Sequence, residues 1–281
     1  MMSSPEIYKG NCHCGQIRFN LDLQQPLRQV FSCPCSICAK KGYLWIFPEE
    51  SQLQITSGYQ SMATYTANGR SGDHFFCPTC GAGIMAKNHM IHAGKSSTAV
   101  NARALCGVNP FTLEVEALDC PSNGADVPTP FSGQVAEVPG GNLKLYTGGC
   151  YCGAATLAVK MKPWSEVEIK EDNCSICQRN ANICIYPHRD SVSIHGKENT
   201  SEYLFQRRFN AHCFCRICGV HVYMKLHGPP KAVVDKLPSE KQKMVRELLA
   251  IVPIRLSVLD SVEWSDCHVK RSDEGTVGYV I

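Results

Sequence analysis

The segments NCHCGQIRF (11–19) and HFFCPTCG (74–81) decide the fold, because they recur as GCYCGAATL (149–157) and HCFCRICG (212–219). In each copy, 62 residues separate a Cys-x-Cys pair from a Cys-x-x-Cys pair, and the copies are offset by 138 residues. Between these pairs, CPCSIC (33–38) recurs as DNCSIC (172–177) at an offset of 139. Three motifs in one order indicate a tandem duplication of a single domain, and not a solenoid.

The second copy is longer than the first. ALCGVNPFTLE (104–114) resembles VLDSVEWSDCH (258–268) at an offset of 154, which leaves about 16 extra residues in the second copy. Within them, Ser239–Gln242 has the pattern of a capping box ahead of KMVRELLAIV, and Pro253 follows. We therefore predict one helix at about 239–252, in the C-terminal half, whose apolar face covers a sheet edge.

Elsewhere the apolar residues alternate with polar ones, which is typical of short β-strands. The predicted strands are 16–23, 53–55, 63–65, 143–146, 192–194 and 202–205. The stretch 120–141 contains four prolines and four glycines and suits an exposed connection. The sequence thus predicts a mainly β chain with domains at 6–125 and 141–281 and a linker at 126–140.

Charge and composition exclude several classes of function. The 281 residues carry a formal net charge of only +3, with 44% hydrophobic and 19% charged residues. This balance gives no general attraction to nucleic acid or to a membrane surface. No apolar run of transmembrane length occurs, and the N-terminal segment lacks the pattern of a secretion signal. We expect a cytoplasmic protein that binds neither nucleic acid nor membrane, and its oligomeric state stays open.

Cysteine is the informative residue, with 18 in the chain. Fourteen fall in tight clusters, and only Cys106, Cys120, Cys184 and Cys267 stand alone. A disulfide across one intervening residue would be strained, whereas thiolates one or two residues apart can converge on a single tetrahedral ion. The clusters therefore favour zinc over a disulfide framework.

Two four-cysteine sets predict closed, structural zinc sites. They are Cys12, Cys14, Cys77 and Cys80 in the first copy and Cys150, Cys152, Cys215 and Cys218 in the second. A glycine follows each pair and lets the backbone turn tightly around the metal. Four thiolates complete the tetrahedron, so each site clamps the first strand of its copy to a later hairpin.

A third set, Cys33, Cys35 and Cys38, has no fourth cysteine at an equivalent spacing. Three protein ligands and an open position are the arrangement of catalytic zinc. The alternative is that Cys106, Cys120 or a histidine such as His74 closes the site.

The second copy has Asp172, Cys174 and Cys177 at the corresponding positions. The aspartate can ligate zinc through oxygen, or the metal has been lost and two inert thiols remain. The chain is therefore expected to hold three zinc ions, or four if Asp172 is a ligand.

The ligand set predicts the chemistry of the open site. Three thiolates leave the zinc unit with a net charge of about −1, which weakens its ability to activate water. A thiolate-rich zinc prefers a soft fourth ligand, such as a substrate thiol. Coordination chemistry alone therefore points to a reaction at a substrate sulfur.

The order Cys-x-Cys-Gly, Cys-x-Cys-x-x-Cys and Phe-Cys-x-x-Cys-Gly resembles the glutathione-dependent formaldehyde-activating family, also called centromere-protein-V-like, with the Mss4-like fold. Residues 11–86 and 149–223 carry the resemblance. It implies a structural zinc at the first four-cysteine set and a catalytic zinc at Cys33, Cys35 and Cys38. It also implies carbon–sulfur lyase activity on S-hydroxymethylglutathione or related thiol adducts. Asp172 and the tandem arrangement depart from the family pattern.

Two other functions stay open. Members of this fold family include zinc-binding modules that bind proteins, and the scaffold can serve an enzyme that acts on another electrophile. The open three-cysteine loop favours an enzyme, since a binding module needs only the closed clamp. Tyr43, Trp45 and Phe47 line either a substrate pocket or the core, and His74 and His212 are either acid–base groups or structural histidines.

Overall fold

The computed structural model describes residues 6–67, 72–87, 96–119 and 128–275. Most of the regular structure in these ranges is β. The strands of the first copy are β1 (Glu6–Asn11), β2 (Arg18–Leu23), β3 (Gln29–Ser32), β4 (Trp45–Ile46), β5 (Leu53–Ser57), β6 (Ala63–Thr66), β7 (Asp73–Phe76), β8 (Gly83–Lys87), β9 (Thr98–Asn101) and β10 (Glu114–Ala117). Those of the second copy are β11 (Lys144–Gly149), β12 (Thr156–Met161), β13 (Ile169–Asp172), β14 (Ile183–Ile185), β15 (Val192–His195), β16 (Thr200–Tyr203), β17 (Asn210–Cys215), β18 (His221–Leu226), β19 (Ile254–Arg255) and β20 (Val269–Ser272). The α-helices are α1 (Ser36–Lys41), α2 (Ser175–Asn180), α3 (Lys231–Val234) and α4 (Ser239–Leu249).

Each copy builds the same pair of sheets. The first has a three-stranded sheet, β1-β2-β5, and a seven-stranded sheet, β10-β3-β4-β9-β8-β7-β6. The second has β11-β12-β15 and β16-β17-β18-β19-β14-β13-β20, which is the first order read from the other edge. One edge pair in each large sheet, β3 with β10 and β13 with β20, is parallel. The prediction of a mainly β tandem duplication is confirmed.

The alternation of apolar and polar residues predicts the buried face of a strand, because alternate side chains point into the same core. Ile17, Phe19 and Leu21 are 0–1% exposed, as the alternation in 16–23 predicts. The regular strand begins at Arg18, because Cys12 and Ile17 instead close the turn that holds the first cysteines. The predicted strand at 202–205 is displaced by two residues, and β16 ends at Tyr203.

The two copies pack through their short helices. Helix α2 contacts the turn Ala102–Ala104 of the first copy, and α1 contacts the corresponding turn Leu256–Val258 of the second. Ile176 of α2 and Phe214 of β17 belong to the same buried cluster as the first copy's core. The interface is therefore reciprocal: in each copy, the helix that follows the three-ligand loop packs against the other copy.

One basic side chain on each helix reinforces this packing. Lys40 Nζ on α1 donates to the carbonyl oxygens of Gly149 and Val258 and pairs with Asp260 at 3.1 Å. Arg179, at the matching position on α2, is 2% exposed and donates to the backbone and side-chain oxygens of Asn11. Both contacts cross between the copies.

The predicted helix in the second copy is confirmed as α4 and begins at Ser239 as predicted, but its cap and its packing differ from the prediction. Pro238 occupies the N-cap position, Ser239 is the first helical residue, and no side chain caps the helix. The helix ends at Leu249, short of the predicted 252. Met244 and Leu248 are 61% and 53% exposed, so α4 does not bury its apolar face against a sheet edge.

The segment between the copies is irregular where it is described, at 128–140. The last strand before it ends at Ala117, and the next begins at Lys144. The domain limits 6–125 and 141–281 stay predictions. In the described part of the chain, no helix has the length and apolar character that crossing a bilayer requires.

Candidate metal centres

The first four-cysteine set converges as its spacing predicts. The sulfur atoms of Cys12, Cys14, Cys77 and Cys80 lie within 4.8 Å of one another. Cys14 Sγ is 3.5 Å from the Sγ atoms of both Cys12 and Cys77. Four thiolates about 2.3 Å from one zinc would lie about 3.8 Å apart, so the arrangement fits a tetrahedral zinc.

The clamp joins two distant parts of the first copy. Cys12 and Cys14 follow β1, and Cys77 and Cys80 lie in the turn between β7 and β8. The Cys77 N–H donates to the Ala82 carbonyl oxygen, closing this turn at 3.0 Å. Gly81 follows with φ at +73°, a conformation that disfavours any residue with a Cβ atom. These local bonds hold the turn that carries Cys77 and Cys80.

The second clamp repeats the first. Cys150, Cys152, Cys215 and Cys218 also lie within 4.8 Å of one another, and Cys152 Sγ is 3.6 Å from the Sγ atoms of Cys150 and Cys215. The Ala155 N–H donates to Cys150 Sγ at 3.3 Å, as the Ile17 N–H does to Cys12 Sγ in the first copy. The donor chemistry and spacing fit zinc here too.

Each clamp also lies against the opposite copy. A Cβ atom on Gly219 would come within 2.7 Å of the Phe76 ring, and one on Gly81 within 2.5 Å of His221 Nε2. Both glycines are therefore required by the close approach of the copies as well as by their own turns. The clamps fix the interface as well as the hairpins.

Cys33, Cys35 and Cys38 form the three-ligand group of the first copy, within the same 4.8 Å limit. Cys35 is the N-cap of α1, so the helix begins between the second and third thiols. Hydrogen bonds from the Cys33 and Cys38 thiols lower the pKa of Cys35 to about 3. Trp45 Nε1 donates to Cys38 Sγ at 3.4 Å, which fixes the third thiol from the core side.

The described residues that were candidates to close this group lie elsewhere. Cys106 Sγ bonds to Asn11 Oδ1 at 2.7 Å, at the copy interface. His74 is not among the potential ligands that converge with the three thiols. Cys120 lies outside the described residues. Within the described ranges, the group therefore has three protein ligands.

Asp172, Cys174 and Cys177 also converge within 4.8 Å. Asp172 Oδ1 accepts a hydrogen bond from the Cys174 N–H at 2.5 Å, so one carboxylate oxygen closes the turn that starts α2. The carboxylate has a second oxygen, and an oxygen–sulfur–sulfur set is compatible with zinc. Asn182 Nδ2 approaches Cys177 Sγ at 3.5 Å and replaces the contact that Trp45 makes in the first copy.

The two histidines before the clamps are buried. His74 and His212 are 1% and 4% exposed, and burial lowers their pKa values to about 3 and about 4. Both rings are therefore neutral at pH 7. Tyr43 and Trp45 are 5% and 3% exposed and form core with Ile37, so they do not line an open pocket.

Lys41 is a buried cation that sequence reasoning missed. It is 4% exposed, and its Nζ lies 4.9 Å from the centre of the Phe76 ring. Burial lowers its pKa to about 8, while the Cys218 and Cys38 thiolates oppose that change. Its Nζ approaches Gly219 in the second clamp, where an added Cβ atom would come within 2.9 Å of it. The second copy has the neutral Asn180 at this position.

Contacts between the copies were also missed. Tyr65 on β6 packs against the cores of both copies, and its ring lies 5.8 Å from that of Tyr151. In the mirror arrangement, Tyr203 bonds to His13 at 2.8 Å. A signal was available in the sequence, since Tyr65 and Tyr203 occupy equivalent positions in the two copies.

Comparison with known proteins gives a family, and part of the chain is similar to a solved structure. A family model described as "Glutathione-dependent formaldehyde-activating enzyme" matches residues 7–109 and again residues 145–242. A crystal structure of a Rhodobacter sphaeroides protein is 21% identical, with a TM-score of 0.35. That match covers 45% of this chain and 99% of the other. One family match falls in each copy of the duplication.

Proposed function

This chain belongs to the glutathione-dependent formaldehyde-activating enzyme family, and from that premise we propose that it is a zinc-dependent carbon–sulfur lyase acting on small thiol adducts. The adduct of glutathione and formaldehyde, S-hydroxymethylglutathione, is the substrate type that the family description supports. The reacting site is Cys33, Cys35 and Cys38. The two four-cysteine clamps are structural, so the chain holds three zinc ions, and a fourth if Asp172 ligates.

The observation that carries the proposal is the difference between the clamps and the open group. Each clamp brings four thiols together, whereas the open group brings three and has no further described ligand. When bound, zinc supplies a soft fourth position that favours a substrate sulfur as its thiolate. The buried Lys41 ammonium lies near this anionic group and partly offsets its negative charge.

The reaction follows from a substrate thiolate placed beside an aldehyde. The sulfur attacks the carbonyl carbon and forms the carbon–sulfur bond, while the carbonyl π electrons move to oxygen, which takes a proton. The lyase direction is the reverse: the hydroxyl loses its proton, the carbonyl re-forms and the carbon–sulfur bond breaks. The chain's own task is to hold the three thiolates through α1 and to exclude bulk water with the Trp45 and Tyr43 side of the core.

The first copy is the better candidate for this role. Beside the ligand loop of the second copy, Tyr203 and Phe205 pack with His13 of the first copy, and the His13 and Phe205 ring centres are 4.5 Å apart. The first copy has Ala67 where the second has Phe205. The first copy also has cysteine at all three ligand positions, whereas the second has Asp172 at the first of them.

Free thiols suit a reducing compartment. All seventeen described cysteines are unpaired by disulfides, and fifteen of these lie in ligand groups or are buried in the interior. This supports a cytoplasmic location, which belongs to the proposal together with the glutathione-type substrate.

The test is turnover in matched variants. We expect Cys35→Ser to lose one zinc and to exchange formaldehyde with S-hydroxymethylglutathione no faster than the uncatalysed reaction. Cys174→Ser, its counterpart in the second copy, should keep most of the wild-type rate. Magnetisation-exchange NMR on the hydroxymethyl group measures the rate in both directions. Activity that survives Cys35→Ser and disappears in Cys174→Ser would show that the proposal has the wrong copy.

A further inference from the structure

The middle residue of each Cys-x-Cys turn reaches the three-ligand loop of the opposite copy. His13 lies between Cys12 and Cys14 of the first clamp. Its Nε2 is 3.2 Å from the Ser175 hydroxyl, and its Nδ1 is 2.8 Å from the Tyr203 hydroxyl. Ser175 directly follows the ligand Cys174, so a residue of the first copy borders the ligand loop of the second.

Tyr151 holds the mirror position, between Cys150 and Cys152 of the second clamp. It packs against the buried cluster that contains Cys38, and Cys33 and Cys35 pack against the same cluster. Its ring meets the Tyr65 ring edge to face, at 82° and 5.8 Å. An aromatic residue of the second copy therefore packs on the same cluster as the three thiols of the first copy.

The two borders differ in accessibility. Beside the second copy's loop, His13 and Tyr203 are 4% and 8% exposed, and the Phe205 ring stacks on Tyr203 at 5.7 Å. Beside the first copy's loop, Tyr65 and Tyr151 are half-buried. The second border is a filled aromatic cluster, whereas the first presents two rings that a ligand can contact.

We propose that Tyr151 is a substrate-positioning residue of the first copy's site, forming with Tyr65 an aromatic wall that limits the bulk on the carbon bonded to the substrate sulfur. The inference rests on the proposed function, because it assumes that a substrate sulfur binds beside Cys33, Cys35 and Cys38. Two rings that meet edge to face form a continuous aromatic surface, and a bulkier ligand on that side would have to displace one of them. An adduct of formaldehyde has an unbranched carbon there, and an adduct of a larger aldehyde does not.

The wall makes the active site dependent on both copies. Lys40 of the first copy holds the chain near Tyr151, since its Nζ donates to the carbonyl oxygen of Gly149, two residues before Tyr151. The first copy therefore supplies the ligands and the second copy supplies selectivity. The duplication is part of the site and not a simple doubling of it.

The test compares two thiols on the cobalt-substituted full-length protein. The probes are 2-mercaptoethanol, whose sulfur-bearing carbon is unbranched, and tert-butyl thiol, whose sulfur-bearing carbon is fully branched. Wild-type protein should prefer the unbranched thiol, and Tyr151→Ala should reduce this preference by about tenfold or more, as expected for removal of a steric wall. Tyr151→Phe should retain the preference, because the ring and not the hydroxyl sets the limit.

Controls distinguish a steric effect of Tyr151 from a loss of structure in the variant and from a failure of the proposed function. Tyr59→Ala removes a tyrosine that is 52% exposed and should leave the preference unchanged. Metal content reports whether the Cys150–Cys152 turn is intact in Tyr151→Ala. If Tyr151→Ala is fully metallated and keeps the wild-type preference for the unbranched thiol, the proposed role of Tyr151 is wrong and the proposed function is unaffected. A wild-type protein whose cobalt spectrum responds to neither thiol would overturn both.

Discussion

Cys77→Ser should yield a protein that does not fold stably, whereas Cys35→Ser should yield a folded protein that lacks one zinc. Cys77 is 0% exposed and belongs to a closed clamp that joins β1 to the β7–β8 turn. Binding of a structural zinc contributes about 10–16 kcal/mol, comparable with or larger than the whole stability of a typical domain. Cys35 lies in a loop that starts a six-residue helix, so its loss removes a metal without opening a core.

Circular dichroism, thermal unfolding and elemental zinc analysis on the two variants measure this difference. The second copy supplies a matched pair, Cys215→Ser and Cys174→Ser, which should behave in the same way. Equal loss of stability in Cys77→Ser and Cys35→Ser would show that the division into structural and open sites is wrong.

Arg179→Ala should destabilise the protein by roughly 3 kcal/mol. The guanidinium is 2% exposed and donates to both oxygens of Asn11 and to the Ser175 carbonyl. Truncation removes one donor from each of these buried acceptors, and Asn11 Oδ1 keeps only the Cys106 thiol. The cost is about 1–3 kcal/mol for each group that finds no other partner. Because Asn11 belongs to the first copy and Arg179 to the second, the loss reports directly on the interface.

Lys40→Ala is the matched control on the other helix. The Lys40 and Asp260 side chains are 15% and 20% exposed, so water can replace the lost ammonium. We expect this variant to lose about 1 kcal/mol or less. Urea unfolding of both variants measures the difference, and a larger loss in Lys40→Ala would contradict the observed burial.

The cysteine groups could be predicted from the sequence because their geometry is local. Cys33, Cys35 and Cys38 lie within one turn and the start of one helix, and the repeat identified which distant pairs join in each clamp. Alternation likewise predicted the buried face of β2, since a strand has only two faces.

What the sequence could not show is how the two copies dock. The docking contacts join residues that are 73 to 190 positions apart in the sequence, as for Arg179, Tyr151 and His13. No local sequence pattern predicts contacts over such separations. The cap of α4 was misassigned for a different reason: the capping-box pattern fits Ser239, but Pro238 before it already takes the extended N-cap conformation. The apolar face of α4 was wrongly expected to be buried. The periodicity of apolar residues predicts that a helix has an apolar face, but it does not show whether another element covers that face.

The central claim is that Cys33, Cys35 and Cys38 hold a metal whose fourth position accepts a substrate sulfur. The most direct measurement is the ligand-field spectrum of the cobalt-substituted protein during titration with glutathione. We expect a saturable change at millimolar glutathione or below that is absent in Cys35→Ser and present in Cys174→Ser. A spectrum that does not respond to millimolar glutathione, or one that responds only through Cys174, would contradict it.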